Sequence, residues 1–137
     1  MFTKVILFAT LLGTTVATSC LNCICQVESG CKPIGCEMDD GSLSCGYYQI
    51  KLPYYEDCGE VGKKSGESTE TAWKRCANEF SCATTCVENY QKRYAYECPQ
   101  YSTCERTARI HNGGPYGCKL SFTDEYWAKV KACCGCS

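Results

Sequence analysis

Histidine is almost missing from this chain, with one residue, His111, in 137. That allows at most one Ser–His or Cys–His arrangement and speaks against a histidine-built metal centre. An excess of either charge is also missing: 14 basic residues face 15 acidic ones, for a net charge of −1. Without a basic stripe, nucleic acid is not expected as a partner, nor is the chain a strongly cationic membrane-disrupting peptide. There is no phosphate-cradling glycine loop of the Walker type, no internal repeat and no linker that would divide two domains. Long apolar runs are absent too. The one apolar stretch, Val5 to Leu12, is too short to cross a bilayer.

What that stretch does offer is an address. Lys4 precedes it, and the small residues Thr15, Ala17 and Ser19 follow it. This is the form of a secretory signal peptide over residues 1–19, cleaved after Ala17 or after Ser19. The mature domain, residues 20–137, is then expected to be secreted and extracellular, without a membrane anchor. All 16 cysteines fall in it, roughly one residue in seven. Cys20-Leu-Asn-Cys23 and Cys133-Cys134-Gly-Cys136 look like zinc pairs in isolation. An exported chain with one histidine and cysteines spread along its length points instead to a disulfide scaffold, with no metal and no cofactor. The even count allows eight bridges and no free thiol, and leaves their pairing open.

The patterning predicts an α+β domain, mostly helical, with one short β element. Leu21, Ile24 and Val27 recur at helical spacing from Cys20 to Val27, with Ser29-Gly30 as the stop. Residues 38–50 read as a hairpin or small sheet around an Asp-Gly turn. Helical stripes resume from Thr69 to about Tyr96, with a break expected near Ser81. A further helix is expected from Cys104 to Ile110. The last helix should start with Ser121 or Thr123 as its cap and present Tyr126, Trp127 and Val130 on its apolar side.

With every cysteine able to pair, a thiol nucleophile is not expected, and carboxylates become the candidates. Glu28 ends an apolar helix, where partial burial would keep it protonated as a general acid requires. Asp39 sits at the mouth of the hairpin, where backbone N–H groups can hold it ionised. Two carboxyl groups in contrasting environments are the arrangement of a glycosidase. On spacing alone, a surface glutamate and a turn-capping aspartate explain the pair equally well.

Five ordered blocks add weight to the first reading. They are Cys20-Leu-Asn-Cys-Ile-Cys-Gln-Val-Glu-Ser-Gly-Cys31, Met38-Asp-Asp-Gly-Ser-Leu-Ser-Cys-Gly-Tyr-Tyr-Gln-Ile-Lys51, Tyr54-Tyr-Glu-Asp-Cys-Gly59, Cys86-Val-Glu-Asn-Tyr-Gln-Lys-Arg-Tyr94 and Ala108-Arg-Ile-His-Asn-Gly-Gly-Pro-Tyr-Gly-Cys118. Together they resemble the invertebrate-type lysozymes, the family that includes destabilase, and the likeness covers nearly the whole mature chain. The resemblance implies a small lysozyme-like fold and hydrolysis of the β-1,4 bond between N-acetylmuramic acid and N-acetylglucosamine in bacterial peptidoglycan. Glu28 takes the place of the proton donor and Asp39 that of the second catalytic carboxylate. Asp40 and Tyr47 depart from the residues many relatives carry, and Asp40 adds a like charge beside Asp39.

For sugar binding the resemblance points to Lys51, Leu52, Pro53, Tyr54, Tyr55, Glu56 and Asp57, to Tyr90, and to His111, Asn112 and Gly113. Tyr54 and Tyr55 are expected to stack on pyranose faces, and Lys51 and Asn112 to bond hydroxyl or acetamido oxygens. Chitin oligosaccharides are a related ligand, and the enzyme is expected to act as a monomer or weak homodimer. The resemblance also raises an isopeptidase activity through Ser42 and Lys51, with His111 nearby. That chemistry needs a neutral lysine in a site poor in anions. A non-catalytic glycan-binding module is the other alternative. Without Lys4 the mature charge becomes −2. Such a balance suits digestion of bacteria or defence against them in a mildly acidic setting, such as a gut lumen or phagosome-like compartment.

Overall fold

The computed structural model describes residues 12–137, with side chains from Cys20 onward. The expected signal peptide therefore lies outside the residues described in full, and its first eleven residues lie outside altogether. Helix α1 spans Leu12–Ser29. It stops where Gly30 and Cys31 both turn left-handed, at φ 70° and 57°. Their N–H groups return to the carbonyls of Gln26 and Cys25. The Cys25–Cys31 bridge holds this unusual cysteine conformation. Glu28 is thereby fixed in the last turn of the helix.

Strands β1 (Cys36–Asp39) and β2 (Ser42–Cys45) pair antiparallel, with Asp39 opposite Ser42. The two-residue loop Asp40-Gly41 has positive φ at both positions, 51° and 84°. This is the mirror-image turn whose twist matches a hairpin, and Asp-Gly is a preferred sequence for it. A bridge joins the paired residues Cys36 and Cys45.

The aromatic stretch after Cys45, expected to continue the β element, instead folds back as a tight turn. Cys45 and Ile50 exchange backbone hydrogen bonds of 3.0 and 2.8 Å across it. The reason lies at Gly46. Any side chain there would sit 1.7 Å from the Ala77 carbonyl oxygen, so only glycine lets the turn dock on the next helix layer.

Helix α2 (Leu52–Asp57) is short and carries Pro53 in its first turn. Helix α3 (Thr69–Ala77) begins at Ser68, whose hydroxyl accepts from the Thr71 N–H. Helix α4 covers Phe80–Tyr94. The break between them falls at Asn78-Glu79, before the expected Ser81. Asn78 explains it: its side chain accepts from the Gly35 N–H and donates to the Lys74 carbonyl, leaving the helix to anchor the hairpin side.

Helices α5 (Thr103–Gly113) and α6 (Thr123–Cys134) complete the domain. The residue before α6 is Phe122, which supplies no side-chain cap. Thr123 is fully buried; its hydroxyl accepts from Arg109 and returns its proton to the loop carbonyls of Gly117 and Leu120.

Helix α1 packs on α5 and α6, and α3 on α4, around Ile24, Tyr48, Ile50, Tyr55, Val87, Ile110 and Val130. The architecture is α+β, mostly helical with a two-stranded sheet, as the patterning predicts. All 16 cysteines are paired. Cys20–Cys104 ties α1 to α5, and Cys23–Cys133 ties α1 to α6. Cys58–Cys86, Cys76–Cys82, Cys98–Cys118 and Cys134–Cys136 complete the set. The sulfurs of Cys104, Cys134 and Cys136 cluster within 4.8 Å, but each already belongs to a bridge and offers no thiolate. Among the described residues, no helix is long and apolar enough to cross a membrane.

Candidate active site

A cavity of about 230 Å³ opens where the end of α1, the hairpin, α2, α4 and α5 converge. Glu28 and Asp39 both line it, from opposite kinds of ground. The Glu28 side chain is 18% exposed, whereas that of Asp39 is 65% exposed. Burial drives the Glu28 carboxyl up to a pKa of about 7, countered by the Tyr126 hydroxyl; the Asp39 charge pushes it further up and Lys51 pulls it down. Near neutral pH, Glu28 therefore holds a proton that it can release.

Asp39 ends β1 next to the hairpin turn. Its carboxylate accepts from the Ser44 hydroxyl at 3.4 Å and lies 3.8 Å from the Lys51 ammonium. Lys51 also donates to the Asp39 carbonyl at 2.8 Å and to the Ser42 hydroxyl at 2.6 Å. The hairpin thus positions Asp39 twice, through the register of its strand and through a lysine gripping its backbone. Asp40 is exposed and occupies the turn itself, so the aspartate that enters the cavity is Asp39.

Behind Glu28 stands His111, whose Nε2 is 3.9 Å from Glu28 Oε1. Nε2 lies 2.9 Å from the Tyr48 carbonyl oxygen, which can only accept, so Nε2 carries the hydrogen. Nδ1 is then the acceptor for the Tyr54 hydroxyl at 2.9 Å. Burial lowers the His111 pKa to about 4, the Tyr48 bond opposing. The imidazole is a neutral post with both nitrogens committed, only 3% exposed.

Tyr54 in turn stacks on Tyr90, with ring centroids 3.6 Å apart and planes within 9°. Burial raises the pKa of both phenols, so each keeps its proton.

The residues expected to bind sugar divide. Lys51, Pro53, Tyr54, Tyr90, His111 and Asn112 line the cavity together with the two carboxyl groups. Tyr55 does not: it is fully buried and its hydroxyl donates to the Val61 carbonyl, so stacking on a pyranose does not fit it. Adjacent residues of a helix point about 100° apart, and α2 turns Tyr54 to the cavity and Tyr55 to the core. Leu52, Glu56, Asp57 and Gly113 also lie off the lining, with Asp57 taken up by Tyr94 and Arg93. Ser42 is held by Lys51 beside the cavity.

Gln49 and Gly114 line the cavity without being among the expected residues. Gln49 is a non-glycine residue at φ 50° and sits inside the second matched block. Its position in that block is the one signal that could have found it. Tyr126 is expected only as part of an apolar face, and its approach to Glu28 has no local signature.

Comparison with known proteins places these features in context. A family described as Destabilase matches residues 17–133. The chain is 64% identical to Invertebrate-type lysozyme 3 of Caenorhabditis elegans over 100% of both chains. It superposes on the crystal structure of Tapes japonica lysozyme with a TM-score of 0.75 at 51% identity, covering 87% of this chain and 91% of that one. A similar match, TM-score 0.76 at 48% identity over 87% and 93%, is to a crystal structure of Aeromonas hydrophila PliI in complex with Meretrix lusoria lysozyme.

Proposed function

Since the chain belongs to the destabilase family of invertebrate-type lysozymes and is a glycoside hydrolase of that kind, we propose that Glu28 and Asp39 cleave the muramyl–glucosaminyl bond of peptidoglycan between them. The observation that carries the reading is the contrast of two carboxyl groups in one cavity, Glu28 buried and protonated, Asp39 open and beside a lysine. Glu28 gives its proton to the glycosidic oxygen as the bond to the anomeric carbon breaks. Asp39 attacks or stabilises the oxocarbenium-like centre from its exposed position. Water then takes the place of the leaving sugar, with Glu28, now a carboxylate, accepting its proton.

Clearing of a bacterial wall suspension by the wild type, Glu28→Gln and Asp39→Asn across pH tests this. The expected outcome is a loss of on the order of 10³-fold or more in each variant. Variants that lyse as well as the wild type would overturn it, and a wild type that binds walls without lysing them would favour a binding module.

The same reading extends to where and how the enzyme works. We propose export through removal of a signal peptide ending at Ala17 or Ser19, supported by eight disulfides that need an oxidising compartment. N-terminal sequencing of protein from the medium should begin at Thr18 or Cys20. Action as a monomer or weak homodimer on peptidoglycan, with chitin oligosaccharides as lesser ligands, fits an open cavity formed by one chain. A role in digesting bacteria or in defence, in mildly acidic fluid, fits the Glu28 pKa of about 7, since the acid keeps its proton below it.

One contact favours a second reading, isopeptide cleavage: Lys51 and Ser42 are 2.6 Å apart. The Asp39 carboxylate 3.8 Å from the same ammonium opposes it, because an activating lysine must be neutral. Cleavage of γ-glutamyl-lysine compounds above a Ser42→Ala control is the deciding assay.

A further inference from the structure

Among the described residues, three buried side-chain atoms lack a hydrogen-bond partner: Gln91 Oε1, Arg106 Nε and the Tyr126 hydroxyl. A buried hydroxyl without an acceptor is unfavourable, and phenylalanine would fill the same space without that cost. What sets Tyr126 apart is the group it faces, the carboxyl of Glu28. The two helices are joined at Cys23–Cys133. Glu28 lies five residues after Cys23, and Tyr126 seven before Cys133. Those offsets are roughly 8 and 10 Å along their axes, so the bridge and the contact share one seam between α1 and α6.

The titratable groups around Glu28 on the neighbouring elements are already engaged. His111 on α5 has given its Nε2 hydrogen to Tyr48, and Tyr54 on α2 has given its hydroxyl hydrogen to His111. Lys51 is held by Asp39 and Ser42, and Asp39 on β1 is itself an acceptor. The hydroxyl on α6 is a buried donor that faces Glu28 without a partner of its own.

We infer that Tyr126 is a positioning residue for the reaction, its hydroxyl held ready for the carboxylate that Glu28 becomes once its proton has passed to the leaving oxygen. The inference rests on Glu28 as the proton donor. A neutral carboxyl is a weaker acceptor than a carboxylate, and the resting hydroxyl, close enough to lower the Glu28 pKa, does not make a full hydrogen bond to it. The ionised carboxyl is a strong one, and the short charge-assisted bond closes when the charge appears. Tyr126 thus stabilises the product of proton donation and orients Glu28 to take a proton back from water in the second half of the reaction.

Tyr126→Phe tests this by its pH profile as well as its rate. The carboxylate loses its donor, so the basic limb of kcat/KM should move to higher pH than in the wild type. kcat should fall on the order of tenfold with KM unchanged, and the thermal midpoint should hold or rise. In a Glu28→Gln background the same change should leave residual activity where it was. A limb that stays in place with kcat within about twofold of wild type overturns the inference. So does an equal effect in the Glu28→Gln background. If Glu28→Gln itself lyses normally, the failure lies in the assignment of the proton donor.

Discussion

Replacing Glu28 by glutamine should make the protein more stable above neutral pH while abolishing its activity. The folded state holds the Glu28 carboxyl at about 7 against an ordinary 4.5, chiefly by burial. Below 4.5 the group is protonated whether the chain is folded or not, and it costs nothing. As pH rises toward 7 the unfolded chain sheds the proton and the folded one does not, so stability falls; above 7 the loss is complete. At about 1.4 kcal/mol for each tenfold, that loss is about 3 kcal/mol. With its side chain 18% exposed, solvent screening takes little from the figure.

His111 slopes the other way. Its pKa near 4 against 6.5 makes stability rise between those values, so in the wild type the two effects nearly cancel from 4.5 to 6.5. The difference between Glu28→Gln and wild type isolates the glutamate. Urea unfolding with the bridges intact should show no gain near pH 4 and a gain of about 3 kcal/mol at pH 8. A gain of equal size at both pH values, or none at pH 8, would refute the argument from burial.

The remaining expectations are simpler. Lysis by the wild type should decline above pH 7 as Glu28 loses its proton, and a pH–rate profile still rising at pH 8 contradicts that. Gly46→Ala should prevent docking of the hairpin on α3, because the added carbon would lie 1.7 Å from the Ala77 oxygen; a melting temperature close to wild type would count against it. Tyr54→Phe removes the donor to His111 Nδ1 and leaves a buried acceptor unpaired. Its cost should be about 1–3 kcal/mol in denaturant unfolding.

Much of this is legible in the residues themselves. The Asp40-Gly41 turn announces the hairpin, and apolar stripes announce α1, α3, α4, α5 and α6. Helix α2 escapes because six residues are too few for a helical period to register, although proline in its first turn is a cue. Tyr47 and Tyr48 have strand preferences but sit in a turn, because the fit of Gly46 against Ala77 overrides them. Glu28 and Asp39 can be picked out because each lies in a dense local block. Tyr126 cannot, since only a contact 98 residues away in sequence gives it meaning. The bridges are unreadable for the same reason, with partners separated by as little as 2 residues and as much as 110.

That spread of separations also sets an order of assembly. Cys25–Cys31, Cys36–Cys45 and Cys76–Cys82 each join cysteines fewer than ten positions apart, so they can form as soon as those segments reach an oxidising compartment. Cys23–Cys133 must wait until the intervening chain has been made. The turn that ends the Glu28 helix and the hairpin that carries Asp39 are thus complete early, as separate pieces. The seam that encloses Glu28 against Tyr126 is among the last to close. A chain interrupted before α6 has both carboxyl groups but lacks the helix that encloses one of them, so the contrast between Glu28 and Asp39 belongs to the finished molecule.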